Sequence, residues 1–372
     1  MRSISFVPFA LVAACASGPE TSATARSVAA GEVGRYRVDH ILTVPVPEGA
    51  QDVRVWFPLP RLDPEQDVTD VEVVAPPGWR ETTDAHGNRY VYAHVTEPSG
   101  EVRVETRFTV TRREAKHDVD PERTRPLTDA ERKLFAADLA PNRHVVIDGA
   151  IEALAAEIRG SETNPVRIAR KLYDWTLANV EYWVKDPSKW KASPVGSSEY
   201  CLQNRTGNCT DFHSLWTALA RASGLPTRIV YGALFKPSLD GVDRDASYHC
   251  WPVFWAPELG WIPHDVAVAD IYVAPIALNA DNEEKVRLTV ATNYEGPSPE
   301  LVDYYFGNLD ARRVSFTVGR DLILEPRQQD GPVNAVAKGY VEVDGKDFPG
   351  FTRKLTYREL RSAAEASASK KQ

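Results

Sequence analysis

Gly207-Asn208-Cys209-Thr210-Asp211-Phe212-His213-Ser214-Leu215-Trp216 is the stretch from which the fold is read. Phe212, Leu215, Trp216 and Leu219 recur at helical spacing, so one face of a helix is buried. Asn208 is a residue type that caps a helix start, and Gly224-Leu225-Pro226 is a sequence that ends one. Cys209 then falls in the first turn. A helix N-terminus favours negative charge, which lowers a thiol pKa and raises its thiolate fraction. Gly207 removes a side chain where a substrate backbone can approach. Free Cys is usually an inert buried residue, so this position alone is a modest signal.

The next informative stretch is Tyr248-His249-Cys250-Trp251-Pro252-Val253-Phe254-Trp255. Alternation places His249 on a strand, on the face opposite Cys250. Ala256-Pro257-Glu258-Leu259-Gly260 is a turn, and Trp261-Ile262-Pro263-His264-Asp265 returns as the partner strand, expected to run to about 268. A turn centred between Pro257 and Glu258 sets His249 and Asp265 opposite, or nearly opposite, one another. A carboxylate beside an imidazole fixes its tautomer and supports its protonated form. A His–Asp pair on strands is often only a structural hydrogen bond. Here Cys, His and Asp come in order, each on the element its role requires.

Working outward, residues 33–115 alternate with period two (Tyr36-Val38-His40-Leu42-Val44; Val53-Val55-Phe57), with a hairpin signal at His86-Gly87-Asn88. They read as a β-sandwich domain. Residues 115–130 read as a charged linker. The region 130–275 mixes elements: a helix at 151–158 ending at Gly160, a helix after Asn164-Pro165, a loop over 184–207, the Cys209 helix, and strands near 227–235 and 248–256. Residues 276–358 read as a β-rich C-terminal extension, and 359–372 as a tail. The fold class expected is therefore α+β.

Four segments, Gly207 to Leu215, Ala220 to Arg228, Tyr248-His249-Cys250-Trp251 and Gly260-Trp261-Ile262-Pro263-His264-Asp265, together resemble the core of the bacterial transglutaminase-like superfamily. The resemblance covers about 165–270. It implies a papain-like core with Cys209 as nucleophile, His249 as base and Asp265 as orienter. Phe306-Gly307-Asn308, Arg312-Arg313-Val314, Gly319-Arg320-Asp321-Leu322 and Glu342-Val343-Asp344-Gly345 resemble the C-terminal extension of a bacterial subgroup. His264-Asp265-Val266-Ala267-Val268 departs from that subgroup, which more often has an apolar residue before the Asp. The implied chemistry is cysteine-dependent acyl transfer or hydrolysis on amide bonds through a thioester, with the oxyanion held by backbone N–H groups near the helix start. A non-catalytic envelope protein, using its β domains as interaction modules, is the alternative.

Asn208, Asp211, His213 and Trp251 are expected to back the reactive groups, and His264 to be structural. The seven Trp between 175 and 261 read as core packing, and Asp240, Asp243 and Asp245 as a solvated turn. Cys201 and Cys250 are expected to remain free thiols. The N-terminus reads as a signal peptide (1–14), whose Val12-Ala13-Ala14-Cys15 resembles the lipobox that leaves an acylated Cys, and a flexible tether (15–32). The expected location is a lipid-anchored periplasmic or outer-membrane lipoprotein. With 44 Lys+Arg against 52 Asp+Glu, the formal charge of −8 argues against nucleic acid as a partner. A protein, peptide or other amide substrate is expected, with the membrane met only through the lipid. No phosphate loop or zinc spacing occurs, so no cofactor and no metal are implied.

Overall fold

The computed structural model describes residues 31–360. The signal segment, Cys15, most of the tether and residues 361–372 lie outside them.

Alternation along Val33–Pro45 buries Tyr36, Val38, His40, Leu42 and Val44 on one face of a long strand. That strand lies in an antiparallel sheet with the order Thr352–Glu359, Val33–Pro45, Glu101–Arg113, Gln66–Val74. A second sheet has the order Lys346–Asp347, Tyr340–Val343, Asp52–Pro58, Arg89–Thr96, Arg80–Thr83. Leu42, Val44, Val102 and Val104 of the first sheet meet Val53, Val55, Phe57, Val91 and Val341 of the second, which makes a sandwich core. The hairpin forms where the sequence placed it, with Thr83 opposite Arg89.

The β-rich C-terminal segment is present, but it makes no layer of its own. Its last strands complete the two N-terminal sheets, pairing with Val33–Pro45 and Asp52–Pro58 edges that would otherwise expose unpaired N–H and C=O groups. A local pattern identifies a strand without saying which sheet it joins. The acidic loop serves the same closure. Asp245 accepts two hydrogen bonds from Arg353, Asp243 pairs with Lys354, and Asp240 accepts the Glu359 N–H at 2.8 Å. It is an exposed turn, as read, that is also tied to the last strand.

The third sheet carries His249. Its order is Gly260–Pro263, Tyr248–Ala256, Thr227–Leu234, Arg313–Val318, all antiparallel. The helix Cys209–Ala222 packs on it through Phe212, Leu215, Trp216 and Leu219, which share one core with Ile229, Phe254 and Ile262. Helices Gly149–Arg159 and Pro165–Asn179 join this core through Ile151, Ile168 and Leu172. Fully burying each such side chain is worth about 1.5–3 kcal/mol, so the helix is fixed by tertiary packing. Tyr36 and Phe108 of the sandwich meet Phe235 and Phe316, which docks the sandwich against the His249 sheet. The 184–207 stretch read as loop contains a helix, Ser198–Asn204, capped by Ser197. The 115–130 linker contains a single turn at Pro121–Arg123 and the start of a helix, Asp129–Leu134. No helix of the described residues is long and apolar enough to cross a membrane.

Candidate active site

Cys209 is the first residue of its helix. The Asn208 side chain accepts the N–H groups of Thr210 (2.9 Å) and Asp211 (3.1 Å), and Asp211 reaches back to the Asn208 N–H at 2.9 Å. This capping box fixes the first turn. Asp211 also accepts the N–H groups of Ser193 and Ser197, so the preceding loop is tied to the same turn. Its surroundings are amides, and burial pushes its carboxyl up to about 6. Asn208 and Asp211 thus build the platform under the thiol. Gly207 is required by that platform, since a Cβ there would sit 2.3 Å from the Asp211 Cβ. Packing, not substrate approach, accounts for it.

His249 and Asp265 come together, with Nε2 2.7 Å from Oδ2. The route differs from the expected one. The returning strand ends at Pro263, and the ladder pairs Val253 with Pro263 and Ala256 with Gly260. His249 therefore has no partner on the returning strand, and its ladder partner is Gly232 on the other side. Asp265 is instead the N-cap of the helix Val266–Asp270, where Oδ1 accepts the Val268 N–H at 3.1 Å. An Asp ahead of Val-Ala-Val-Ala carried that capping signal.

Asp265 is fully buried and faces three cationic or ionisable side chains. Besides His249, Arg313 Nη1 lies 2.6 Å from Oδ2 and His213 Nε2 lies 3.4 Å from Oδ1. Burial works to raise this carboxyl, and the charges of His249 and Arg313 overcome it and hold it well below the usual range. Arg313 also grips Asp310 at 2.7 Å and lies over the rings of Trp251 and Tyr305. The sequence singled out Arg313 within a motif but gave it no task. Its strand, Arg313–Val318, is buried at every position, and a buried Arg demands an acidic partner.

The electrostatics at the thiol follow. Cys209 is held well below the ordinary thiol range by a hydrogen bond from Cys250 and by the hydrogen bond and charge of His249, against the opposing effect of burial. Burial alone would depress His249, but the charge and hydrogen bond of Asp265 and the contact with Cys209 push it up to about 9. Since Nε2 is engaged by Asp265, Nδ1 is the nitrogen left for the thiol. Both shifts favour a thiolate beside an imidazolium near neutral pH.

Tyr182 is a site residue that the sequence reading missed. Its hydroxyl accepts the Cys209 N–H at 3.1 Å, and the short strand Glu181–Tyr182 pairs in parallel with Thr206–Gly207 just before the helix. The N–H groups expected to await an oxyanion are thus all engaged, since buried N–H groups do not stay unpaired. The Tyr182 O–H keeps a proton to donate.

Trp251 lies beside the site, with its ring 6.4 Å from that of His249. His264 is a neutral core residue packed 3.9 Å from the Trp216 ring, and burial drives its pKa down. Cys201, Cys209 and Cys250 are free and buried. Both side chains are deep, with Cys209 5% and His249 3% exposed. Two clefts flank the His249 strand: one of about 480 Å³ lined by Tyr248 and Lys338, the other of about 460 Å³ lined by Trp251, Trp255 and Trp261. Among the described residues no cluster of His, Cys, Asp and Glu could hold a metal ion.

Comparison with known proteins adds the following. Residues 152–266 match the family model described as the transglutaminase-like superfamily. An uncharacterized protein of Haemophilus influenzae is 26% identical over 357 residues, spanning 86% of this chain and 88% of its own. A 118-residue stretch is 26% identical to a protein-glutamine gamma-glutamyltransferase of Pseudomonas aeruginosa, covering 30% of this chain and 17% of that protein. A solved structure from Cytophaga hutchinsonii, provisionally named a cysteine protease, superposes with a TM-score of 0.55 at 18% identity, over 89% of this chain and 92% of its own. That likeness establishes a shared fold.

Proposed function

The chain carries a transglutaminase-like superfamily domain, and on that premise we propose that it is a cysteine-dependent enzyme acting on amide bonds in the bacterial cell envelope. The observation that carries the proposal is Cys209 at a capped helix start beside His249, whose far nitrogen is 2.7 Å from Asp265. The Cys209 thiolate attacks the amide carbon, and the carbonyl oxygen takes the charge. The Tyr182 O–H and, once released by it, the Cys209 N–H are donors that can serve that oxyanion. The His249 imidazolium gives its proton to the leaving amine, and a thioester remains on Cys209. Water resolves it to a carboxylic acid, while a Lys amine resolves it to a cross-link. Hydrolysis is the favoured outcome, because water is the abundant acceptor. Asp265 orients the imidazole and stabilises its charge, and Arg313 keeps Asp265 ionised.

The substrate is a protein, peptide or other amide. Anchoring through an acylated Cys15 would place the enzyme at the envelope, where Cys15→Ser should release it from membranes. A Cys15→Ser protein that still fractionates with membranes removes the anchor.

The test of function is mass spectrometry of the Cys209 peptide after incubation with envelope extract. A thioester adduct is expected on the wild type and none on Cys209→Ala. Absence of an adduct from both would favour the non-catalytic envelope module.

A further inference from the structure

Cys250 follows His249 and points the other way, toward the Cys209 helix. Its sulfur is 3.3 Å from His213 Nδ1 and 3.5 Å from Thr210 Oγ1, and that same hydroxyl lies 3.9 Å from the Cys209 sulfur. The far nitrogen of His213 faces Asp265 Oδ1, the oxygen that His249 does not use. Asp265 therefore serves two imidazoles, one on each oxygen, and each imidazole stands beside a thiol. All of these groups are buried.

We infer that Cys250 is a positioning residue for the nucleophile: His213 donates Nδ1–H to its sulfur, and the Cys250 S–H is thereby left to donate to the Cys209 thiolate. The inference rests on the reading of Cys209 as the nucleophile. A thiol has one proton to give. If His213 Nδ1 were bare, it would accept that proton's hydrogen bond and take it from Cys209. The two ring nitrogens of His213 face the Cys250 sulfur and Asp265 Oδ1, which places an acceptor against each. Burial, reinforced by the hydrogen bond to Cys209 and by its charge, raises the Cys250 thiol and keeps it protonated. Its hydrogen bond is the largest influence lowering Cys209. Thr210 Oγ1, bonded to the Tyr248 hydroxyl at 3.1 Å, closes the remaining side.

The other titratable groups around the two sulfurs are Asp211 on the helix, Tyr248 and His249 on the strand, Tyr231 and Lys236 from the neighbouring strand and its exit, Tyr182, and Asp265. All are retained when Cys250 alone is changed, so a comparison of Cys250 variants isolates its donor.

The experiment is alkylation of the full chain by iodoacetamide as a function of pH, read by mass spectrometry on the Cys209 peptide so that Cys201 and Cys250 do not interfere. Cys250→Ala should move the Cys209 profile upward by about one pH unit, an approximately tenfold slower reaction on its acid side. Cys250→Ser, which keeps an O–H donor, should retain the wild-type profile. Circular dichroism checks folding, and Cys250→Val replaces Cys250→Ala if the smaller side chain leaves an unstable cavity. A low wild-type profile that persists in Cys250→Ala overturns the inference and leaves Cys209 as nucleophile. Equal shifts in Cys250→Ala and Cys250→Ser also overturn it, since packing then accounts for the effect. An ordinary thiol profile in the wild type overturns both this inference and the proposed function.

Discussion

Cys201 and Cys209 lie in neighbouring helices, and both are buried, at 0% and 5% exposure. Their thiols are driven in opposite directions. Burial raises Cys201 far above the ordinary range, and the nearby Asp211 charge adds to it. Cys209 meets the same burial but has Cys250, His249 and His213 beside it, and it falls far below. The two carboxylates repeat the contrast. Asp211 is surrounded by backbone N–H groups and is pushed up to about 6, whereas Asp265 faces Arg313 and His249 and is held low. A dry interior does not by itself silence or activate an ionisable group. The charge placed next to it decides.

The sharpest way to break this comparison is to exchange the thiols for methyl groups one at a time. Cys209→Ala should abolish thioester formation, and Cys201→Ala should leave it unchanged. Activity in Cys209→Ala, measured with an amide substrate and with circular dichroism as the folding control, would remove the distinction between the two thiols. His249→Ala should come next, lowering acyl transfer by roughly 10²–10⁴-fold. In that variant Cys209 should approach Cys201 in its slow alkylation at neutral pH. Arg313→Met removes the guanidinium from Asp310 and Asp265 and leaves the buried Asp265 carboxylate with its imidazoles and the Val268 N–H. Breaking such a buried pair costs about 3–5 kcal/mol, so a clear fall in Tm is expected, with reduced activity in the fraction that stays folded. An unchanged Tm would show that Arg313 does not secure Asp265.

The smallest effect is a pH limb. The folded His249 is raised from its ordinary 6.5 to about 9. Its contact with Asp265 therefore contributes stability that is fully present below 6.5 and is lost as pH rises through about 9. Acyl transfer, which needs the imidazolium, should decline over the same alkaline range. A rate that stays flat to well above that range would count against His249 as the proton donor.

Much of this site was legible because its signals are local. Asn208 as cap, Cys209 in the first turn and the apolar stripe of Phe212, Leu215 and Trp216 all lie within three turns of one helix. His249 was legible from strand alternation. Asp265 was found by hairpin geometry, yet it acts from a helix cap beyond the end of the strand. Arg313 and Tyr182 were not assigned roles, because their partners Asp265 and Cys209 are 48 and 27 residues away in sequence and no local period links them. The C-terminal segment was read as β-rich, but its sheet membership was not read. Thr352–Glu359 pairs with Val33–Pro45 across nearly the whole chain, and a two-residue alternation carries no address for such a partner.

The most direct test of the central claim is the ultraviolet absorbance of the thiolate, measured as wild type minus Cys209→Ala across pH. A buried thiolate paired with the His249 imidazolium predicts a Cys209 signal already present well below the ordinary thiol pKa of about 8.5, and its displacement to higher pH in His249→Ala. A Cys209 signal that first appears at or above that ordinary value, and does not move when His249 is replaced, would contradict the account.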